Sequence, residues 1–214
     1  CEAGSRLLLP RSLHDEFVER MVAKAERIKL GPPLDPATEM GPLAAPERVE
    51  IVHRYVETGL REGARLVTGG GRPDDPALRQ GAYYRPTIFT GVQSHMTIAR
   101  EEIFGPVLAV IAYDDVDEAV AIANDTIYGL AAGVWTRDPA RGLEVAARLQ
   151  AGTVWVNEWH ILHPRYPFGG YKQSGFGREL GLAGLLEYTQ LKHVHVDLGN
   201  PRPARRWFDA VVPR

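Results

Sequence analysis

Residues 152–157 read GTVWVN, a nearly uninterrupted apolar run bounded by glycine and asparagine. A short, β-branched run of this kind is typical of a strand buried on both faces of a parallel sheet. The stretch 167–181 follows after a loop and holds five glycines in fifteen residues, so its backbone must turn sharply or lie close against another group. Open α/β sheets bind ligands at loops that leave the carboxyl ends of strands. The segment after residue 157 is therefore predicted to carry a site.

The pattern alternates between strand-like and helical runs from residue 107 to residue 157. Strands are predicted at 107–113, 130–136 and 152–157, and helices at 116–124 and 139–149. Short connections between such units mean right-handed parallel crossovers. The sequence thus predicts an α/β fold with a parallel, Rossmann-like sheet.

The first hundred residues add further elements to this sheet. A strand is predicted at 5–9, and Pro46 is well placed as the first residue of a helix. Four apolar residues at helical spacing give that helix a buried stripe: Val49, Val52, Val56 and Leu60. Further strands are predicted at 65–68 and 83–89, and Pro86 within the second argues for an edge position or a kink.

The composition bounds the class of protein. The chain has 214 residues, of which 44% are hydrophobic and 24% charged, as in an ordinary globular protein. A net charge of −2 gives no reason to expect nucleic acid or an anionic membrane as partner, and no apolar run reaches membrane-spanning length. One cysteine forms no internal disulfide, which favours a reducing, cytoplasmic location. Because the first residue is Cys1, we expect the chain to be a portion of a longer protein.

Several ordered motifs together resemble the aldehyde dehydrogenase superfamily, and the likeness extends from Cys1 to about Val196. They are Cys1-Glu2-Ala3-Gly4-Ser5-Arg6, Glu101-Glu102-Ile103-Phe104-Gly105-Pro106-Val107, Tyr128-Gly129-Leu130 and the stretch 152–181. The resemblance implies a catalytic domain over residues 1–190, an oligomerisation strand over 191–198 and a tail over 199–214. It also implies that the whole enzyme is a homo-oligomer, a dimer or a tetramer.

The resemblance implies that Cys1 is the catalytic nucleophile. A thiolate adds to an aldehyde to give a thiohemiacetal, whose carbon still holds the hydride. Once the hydride has left, the product is a thioester that water hydrolyses to the acid. Glu179 resembles a family glutamate that assists proton movement near the nucleophile. Its alternative is an exposed residue in the first turn of a helix.

The remaining site residues also follow from the resemblance. Glu102 is expected to accept hydrogen bonds from the nicotinamide ribose of NAD or NADP, and Phe104 to pack near the nicotinamide. Residues 158–168, here called the substrate loop, are expected to anchor a small-molecule aldehyde. Its candidate contacts are Trp159, His160, Ile161, Leu162 and Phe168.

The charge of the aldehyde stays open at this level. His160, His163 and Arg165 would suit a carboxylate-bearing aldehyde, whereas Trp159 and Glu158 would suit a cationic one. The two histidines lack a third ligand at useful spacing, so no metal site is predicted.

The resemblance also implies what this chain lacks. The family's general-base glutamate, its oxyanion-hole asparagine and most of its dinucleotide site are expected upstream of Cys1, so the chain alone is expected to be inactive. One alternative is an inactive subunit that oligomerises through residues 191–198. A distant one is an amidohydrolase that uses an N-terminal cysteine, although the α/β pattern argues against it.

Overall fold

A mixed four-stranded sheet forms the centre of the protein, and the computed structural model describes residues 2–196 and 198–199. The strands of this part of the chain are β1 Arg6–Pro10, β2 Arg65–Thr68, β3 Thr87–Thr90, β4 Val107–Tyr113, β5 Tyr128–Gly129, β6 Ala131–Val134, β7 Thr153–Val156 and β8 Tyr171–Lys172. Its helices are α1 Arg11–Ala25, α2 Pro46–Arg61, α3 Pro76–Arg79, α4 Thr97–Arg100, α5 Val116–Asn124, α6 Pro139–Arg148 and α7 Gly181–Leu186. The α/β class predicted from the sequence is confirmed.

The central sheet has the order β1-β4-β3-β2. Strand β4 pairs in parallel with β1 and with β3, while β2 joins β3 antiparallel at one edge. Helix α1 covers one face, where Val18 packs with Leu9 and Val110. Helix α2 covers the other face and supplies much of the larger core cluster around Phe89.

The predicted stripe of α2 is confirmed at three of its four positions. Val49, Val52 and Val56 are at most 1% exposed, whereas Leu60 is 47% exposed. Gly59 faces the core at the last turn instead. A Cβ there would lie 2.9 Å from the Ile98 side chain of α4, so a larger residue would require that side chain to shift.

The edge position predicted from Pro86 is wrong. Strand β3 begins at Thr87, immediately after the proline, and lies between β4 and β2 with all four residues buried. Because Pro86 precedes the strand, its missing N–H removes no hydrogen bond from the ladder.

A separate two-stranded parallel sheet, β6 with β7, leads to the substrate loop. The prediction that the strand at 152–157 is buried on both faces is wrong for the described structure. Within β7 only Trp155 is buried, whereas Thr153, Val154 and Val156 are half-buried, so the faces of the strand are not fully covered. Helix α6 packs against this pair, with Gly142 facing Val156.

The predicted oligomerisation strand forms no regular secondary structure at residues 191–196, and Asp197 lies outside the described residues. The exposed fractions of Val194 and Val196 are 73% and 67%. Among the described residues, no helix combines the length and apolar character needed to cross a bilayer.

Candidate active site

The amino ends of the central parallel strands place two of the predicted site segments at one edge of the sheet. Strand β1 starts at Arg6 and pairs with Ala109 of β4, and the Ala109 N–H donates to the Ser5 carbonyl at 3.0 Å. Residues 2–5 directly precede β1, and residues 102–106 directly precede β4. Because β1 and β4 are parallel, both segments lie at the same end of the sheet, where these two strands begin.

Arg6, which directly follows residues 2–5, anchors this segment to helix α5. Its guanidinium donates to the carbonyls of Ile122 and Ala123, at 3.1 and 2.8 Å, in the last turn of α5. The Ile122 carbonyl also accepts from the Asp125 N–H at 3.2 Å, and a cation is favoured at that end of the helix dipole. Burial lowers the pKa of Arg6, and the nearby Asp125 carboxylate opposes this shift.

The substrate loop leaves β7 through a fixed turn at Asn157. This residue has a φ of +57°, and its N–H donates to the Val134 carbonyl at 2.8 Å. Its side-chain oxygen accepts from the Thr136 N–H at 2.7 Å. Asparagine tolerates left-handed backbone better than most residues, so the turn is encoded locally.

Two tryptophans hold the loop after this turn. The ring centroids of Trp155 and Trp159 lie 5.0 Å apart with a tilt of 55°. The buried indole N–H of Trp155 donates to the Ile161 carbonyl at 2.8 Å. The strand residue thereby binds both a side chain and the backbone of the loop that follows it.

The Trp159 ring packs against two glycines. A Cβ on Gly133 would lie 2.6 Å from the Trp159 ring, and one on Gly4 would lie 3.4 Å from it. Gly133 belongs to β6, and Gly4 belongs to the segment before β1. The ring therefore lies against the residues that follow Cys1.

His160 makes a second contact with the same segment. Its Nε2 lies 3.0 Å from a carboxylate oxygen of Glu2, whose side chain is only 18% exposed. His160 itself has a φ of +70°, a left-handed conformation rarely adopted by residues with a side chain. Cys1, the predicted nucleophile, lies outside the described residues.

The other predicted loop residues are placed differently. Ile161 and Leu162 are exposed by 58% and 43%. Phe168 is half-buried and exchanges two backbone hydrogen bonds with Glu179, of 2.8 and 2.7 Å. Glu179 is exposed, as its alternative expected, but helix α7 starts at Gly181, so the placement of Glu179 in a first helical turn is wrong. Glu179 instead lies at the base of the substrate loop.

Glu102 and Phe104 lie just before the amino end of β4 and are both exposed. Phe104 has a φ of +53°, and Arg48 on α2 donates to its carbonyl at 3.2 Å and to that of Ile103. The Arg48 guanidinium also lies 5.9 Å from the centroid of the Phe104 ring. An exposed aromatic ring is thus held in a fixed position.

The two neighbouring acids Glu101 and Glu102 have different surroundings. The Tyr55 hydroxyl donates to the Glu101 carboxylate at 2.9 Å, and this hydrogen bond raises the pKa of Tyr55. Within the described chain the Glu102 carboxylate makes no hydrogen bond, so its oxygens are open to a ligand. No hydrogen bond or ring contact between described residues joins Glu102 or Phe104 to the substrate loop.

Sequence reasoning did not identify five residues that position this site: Glu2, Arg48, Gly133, Trp155 and Asn157. Trp155 and Asn157 lie in the stretch that decides the fold, where the apolar pattern obscures their polar contacts. Their signal was a tryptophan and an asparagine at the carboxyl end of a strand. In the described ranges, no group of three or more metal-binding side chains is close enough to hold an ion.

Comparison with known proteins was made on sequence and on structure. The model of the "Aldehyde dehydrogenase family" matches residues 1–194. A betaine aldehyde dehydrogenase of Bacillus subtilis (strain 168) is 51% identical over 211 residues, which are 98% of this chain and 42% of the relative. One from Brucella anthropi is 49% identical over 199 residues, covering 93% of this chain and 41% of the relative.

The structure is also similar to solved structures of betaine aldehyde dehydrogenases. A crystal structure of betaine aldehyde dehydrogenase from Staphylococcus aureus, in complex with NAD+, superposes with a TM-score of 0.86 at 43% identity. The match covers 88% of this chain and 37% of that protein. This chain therefore spans about two fifths of the length of the relatives it matches.

The close packing of the Trp159 ring on Gly133 leads to a prediction on stability. Gly133→Ala is expected to destabilise the chain by about 1–3 kcal/mol, because the added methyl group overlaps the ring and forces it to move. Urea unfolding followed by circular dichroism measures the loss in the free energy of unfolding. Acrylamide quenching of tryptophan fluorescence should rise as the Trp159 ring moves away from Gly133.

Gly71→Ala is the matched control. A Cβ there would lie 3.6 Å from Arg85, in ordinary contact, so little change is expected. Unchanged quenching and unfolding in Gly133→Ala would contradict the proposed fit of Trp159 against β6.

Proposed function

Because this chain belongs to the aldehyde dehydrogenase family, we propose that it is the catalytic-domain portion of an NAD-dependent enzyme that oxidises an aldehyde to a carboxylic acid. One observation carries the proposal beyond family membership. The substrate loop lies on the segment that follows Cys1, through the Glu2–His160 contact and the Trp159 ring on Gly4. The family match over residues 1–194 also argues against the amidohydrolase alternative.

The proposed chemistry begins at Cys1. Its thiolate forms a C–S bond to the aldehyde carbon, and the carbonyl oxygen takes the displaced electron pair. When bound, NAD+ supplies an acceptor for the hydride on that carbon, and a thioester on Cys1 remains. Water then breaks the C–S bond, releasing the carboxylic acid and restoring the thiol. We propose that Glu179, beside Phe168, assists proton movement around this cycle.

Glu102 and Phe104, just before β4, have side chains that fit a nicotinamide nucleotide. Glu102 offers unpaired carboxylate oxygens, which accept from two vicinal hydroxyls of a ribose at once. Phe104 offers an exposed ring that Arg48 holds in place, suited to pack beside a flat aromatic group. We propose NAD+ rather than NADP+, because the related Staphylococcus aureus enzyme was crystallised with NAD+.

We propose betaine aldehyde, or a similar cationic aldehyde, as substrate, since several relatives at 45–51% identity are named betaine aldehyde dehydrogenases. The half-buried Trp159 suits such a substrate, because quaternary ammonium groups bind to aromatic faces. Ile161, Leu162 and Phe168 would form the apolar wall around the rest of the aldehyde.

Assembly and location are also proposals. Residues 191–198 alternate apolar and polar side chains but form no strand at 191–196. A strand with one apolar face and unpaired edges needs a partner. We propose that this segment joins the sheet of a neighbouring subunit in a dimer or tetramer. The single cysteine supports a cytoplasmic location.

The first functional prediction concerns Cys1 in the longer polypeptide proposed above. Cys1→Ser should lower aldehyde-dependent NADH formation by about 10³-fold or more, because a serine hydroxyl is a far weaker nucleophile than a thiolate. NAD+ binding, measured by fluorescence titration, should be unchanged. Near-normal turnover of the serine variant would exclude thioester chemistry at this position.

The 214-residue chain by itself serves as the companion measurement. It should form no NADH above the rate without enzyme, because the general base is expected outside it. Measurable turnover by this chain would show that it carries its own base.

A second prediction separates the two neighbouring acids. Glu102→Ala in the longer polypeptide should weaken NAD+ binding or slow single-turnover hydride transfer by about 10- to 100-fold, the loss expected for hydrogen bonds to a carboxylate. The rate at which iodoacetamide alkylates Cys1 should stay the same.

Glu101→Ala is the matched control, since that carboxylate already binds Tyr55 and is not assigned to the cofactor. If Glu102→Ala and Glu101→Ala had equal effects on NAD+ binding, the assignment of Glu102 to the ribose would be wrong.

A third prediction concerns assembly. Truncation of the longer polypeptide after Thr189 should dissociate the oligomer in sedimentation velocity while leaving the α/β domain folded by circular dichroism. Truncation after Leu198, which removes only the tail, should leave the oligomer intact. An unchanged oligomer after the first truncation would show that residues 191–198 do not hold the subunits together.

A further inference from the structure

The structure points to Glu2 as a specificity-determining residue, and this inference rests on the proposed function. We propose that the Glu2 carboxylate provides the negative charge that selects aldehydes carrying a cationic nitrogen one carbon away from the carbonyl. No role for Glu2 followed from the sequence.

Glu2 directly follows the proposed nucleophile Cys1 in the chain. Neighbouring Cα atoms are about 3.8 Å apart, so a glutamate side chain at position 2 reaches the surroundings of a substrate bound to Cys1. In an aldehyde such as betaine aldehyde, a single methylene separates the quaternary nitrogen from the carbonyl. The group that recognises the nitrogen must therefore also lie near the nucleophile.

The carboxylate is held in one place by the substrate loop. Only 18% of the Glu2 side chain is exposed, and His160 Nε2 lies 3.0 Å from its oxygen. A partly buried charge is screened less by solvent than an exposed one, so it acts more strongly on a neighbouring ligand. Trp159, next to His160, adds an aromatic ring over Gly4 in the same region.

Glu158 and His163 of the same loop make local contacts. The exposed Glu158 carboxylate accepts from the Trp159 N–H at 2.8 Å. His163 Nδ1 accepts from the Arg165 N–H at 3.2 Å, and its ring packs on Tyr166 with centroids 5.1 Å apart.

His160, the basic residue in contact with the segment after Cys1, faces a carboxylate. An imidazole that donates to Glu2 fixes that acid without offering itself to a substrate carboxylate. The sequence left the charge of the aldehyde open, and this arrangement favours a cationic one.

The test compares two aldehydes of the same shape in the longer polypeptide. Betaine aldehyde and 3,3-dimethylbutanal differ in that a quaternary carbon replaces the charged nitrogen. We measure kcat/KM for both and take their ratio. Glu2→Gln should lower the ratio by about tenfold, through betaine aldehyde alone, because it removes the charge and keeps the shape.

Three further variants sharpen the result. Glu2→Asp keeps the charge and should retain more of the ratio than Glu2→Gln. His160→Gln keeps a side-chain N–H that donates to Glu2, and the ratio should stay within about threefold of the wild-type value. Glu158→Gln removes a neighbouring charge of the same sign, and the ratio should change by less than about twofold.

Several outcomes would overturn the inference. These are an unchanged ratio in Glu2→Gln, an equal fall in Glu158→Gln, a lower ratio in Glu2→Asp than in Glu2→Gln, or loss of the ratio in His160→Gln. A wild-type enzyme that oxidises both aldehydes without preference would also overturn it while leaving the proposed function in place. A wild-type enzyme that oxidises neither aldehyde with NAD+ would refute both, and other aldehydes would then decide the function.

Discussion

The parallel pairing of β1 with β4 is the constraint on which the candidate site depends. Five residue pairs, from Arg6 with Ala109 to Pro10 with Tyr113, fix the register between them. A shift of one residue would exchange the two faces of β1 and expose its buried side chains. Because the register is fixed, the segment after Cys1 and the segment around Glu102 reach the same edge of the sheet. Two regions about a hundred residues apart in sequence are thereby brought to one end of the fold.

The substrate loop reaches that region from a different sheet, and one aromatic ring makes the connection. Trp159 packs against Gly133 of β6 and Gly4 beside β1, where neither glycine presents a side chain. Burial of a tryptophan ring is among the largest single apolar contributions a side chain makes. Glu2 and His160 then add a polar contact to the apolar one.

The sequence predicted the elements well because periodicity and helix starts are local properties. Pro46 begins α2, and β4 has the bounds that its apolar run indicated. It predicted the environment of a strand less well, since burial depends on neighbours that may be distant in the chain. Pro86 predicts an edge position or a kink although β3 is central, and the run at 152–157 predicts burial on both faces although only Trp155 of β7 is buried. Site residues were found through family motifs, whereas their supports were not, because Arg48 and Gly133 act through tertiary contacts that no local pattern marks.

Backbone strain gives an independent indication of where function resides. In the described residues, positive φ values at positions other than glycine occur at Phe104, Asn157, His160, Lys172 and Leu180. Each such conformation costs on the order of 1–3 kcal/mol and persists only where its surroundings hold it. Phe104 lies in the segment before β4, Asn157 and His160 lie at the start of the substrate loop, and Lys172 and Leu180 follow that loop, so none lies in the first hundred described residues.

The surroundings that hold these conformations are visible in three cases. Arg48 binds the carbonyl of Phe104, Thr136 binds the side chain of Asn157, and the ammonium of Lys172 donates to the carbonyls of Asn124 and Thr126. A chain selected only for stability would place glycine at such turns, because glycine adopts them without strain. Side chains at Phe104 and His160 are consistent with a requirement for the groups they present, a phenyl ring before β4 and an imidazole on Glu2. The strain and the proposed chemistry thus coincide at Phe104 and His160, for separate reasons.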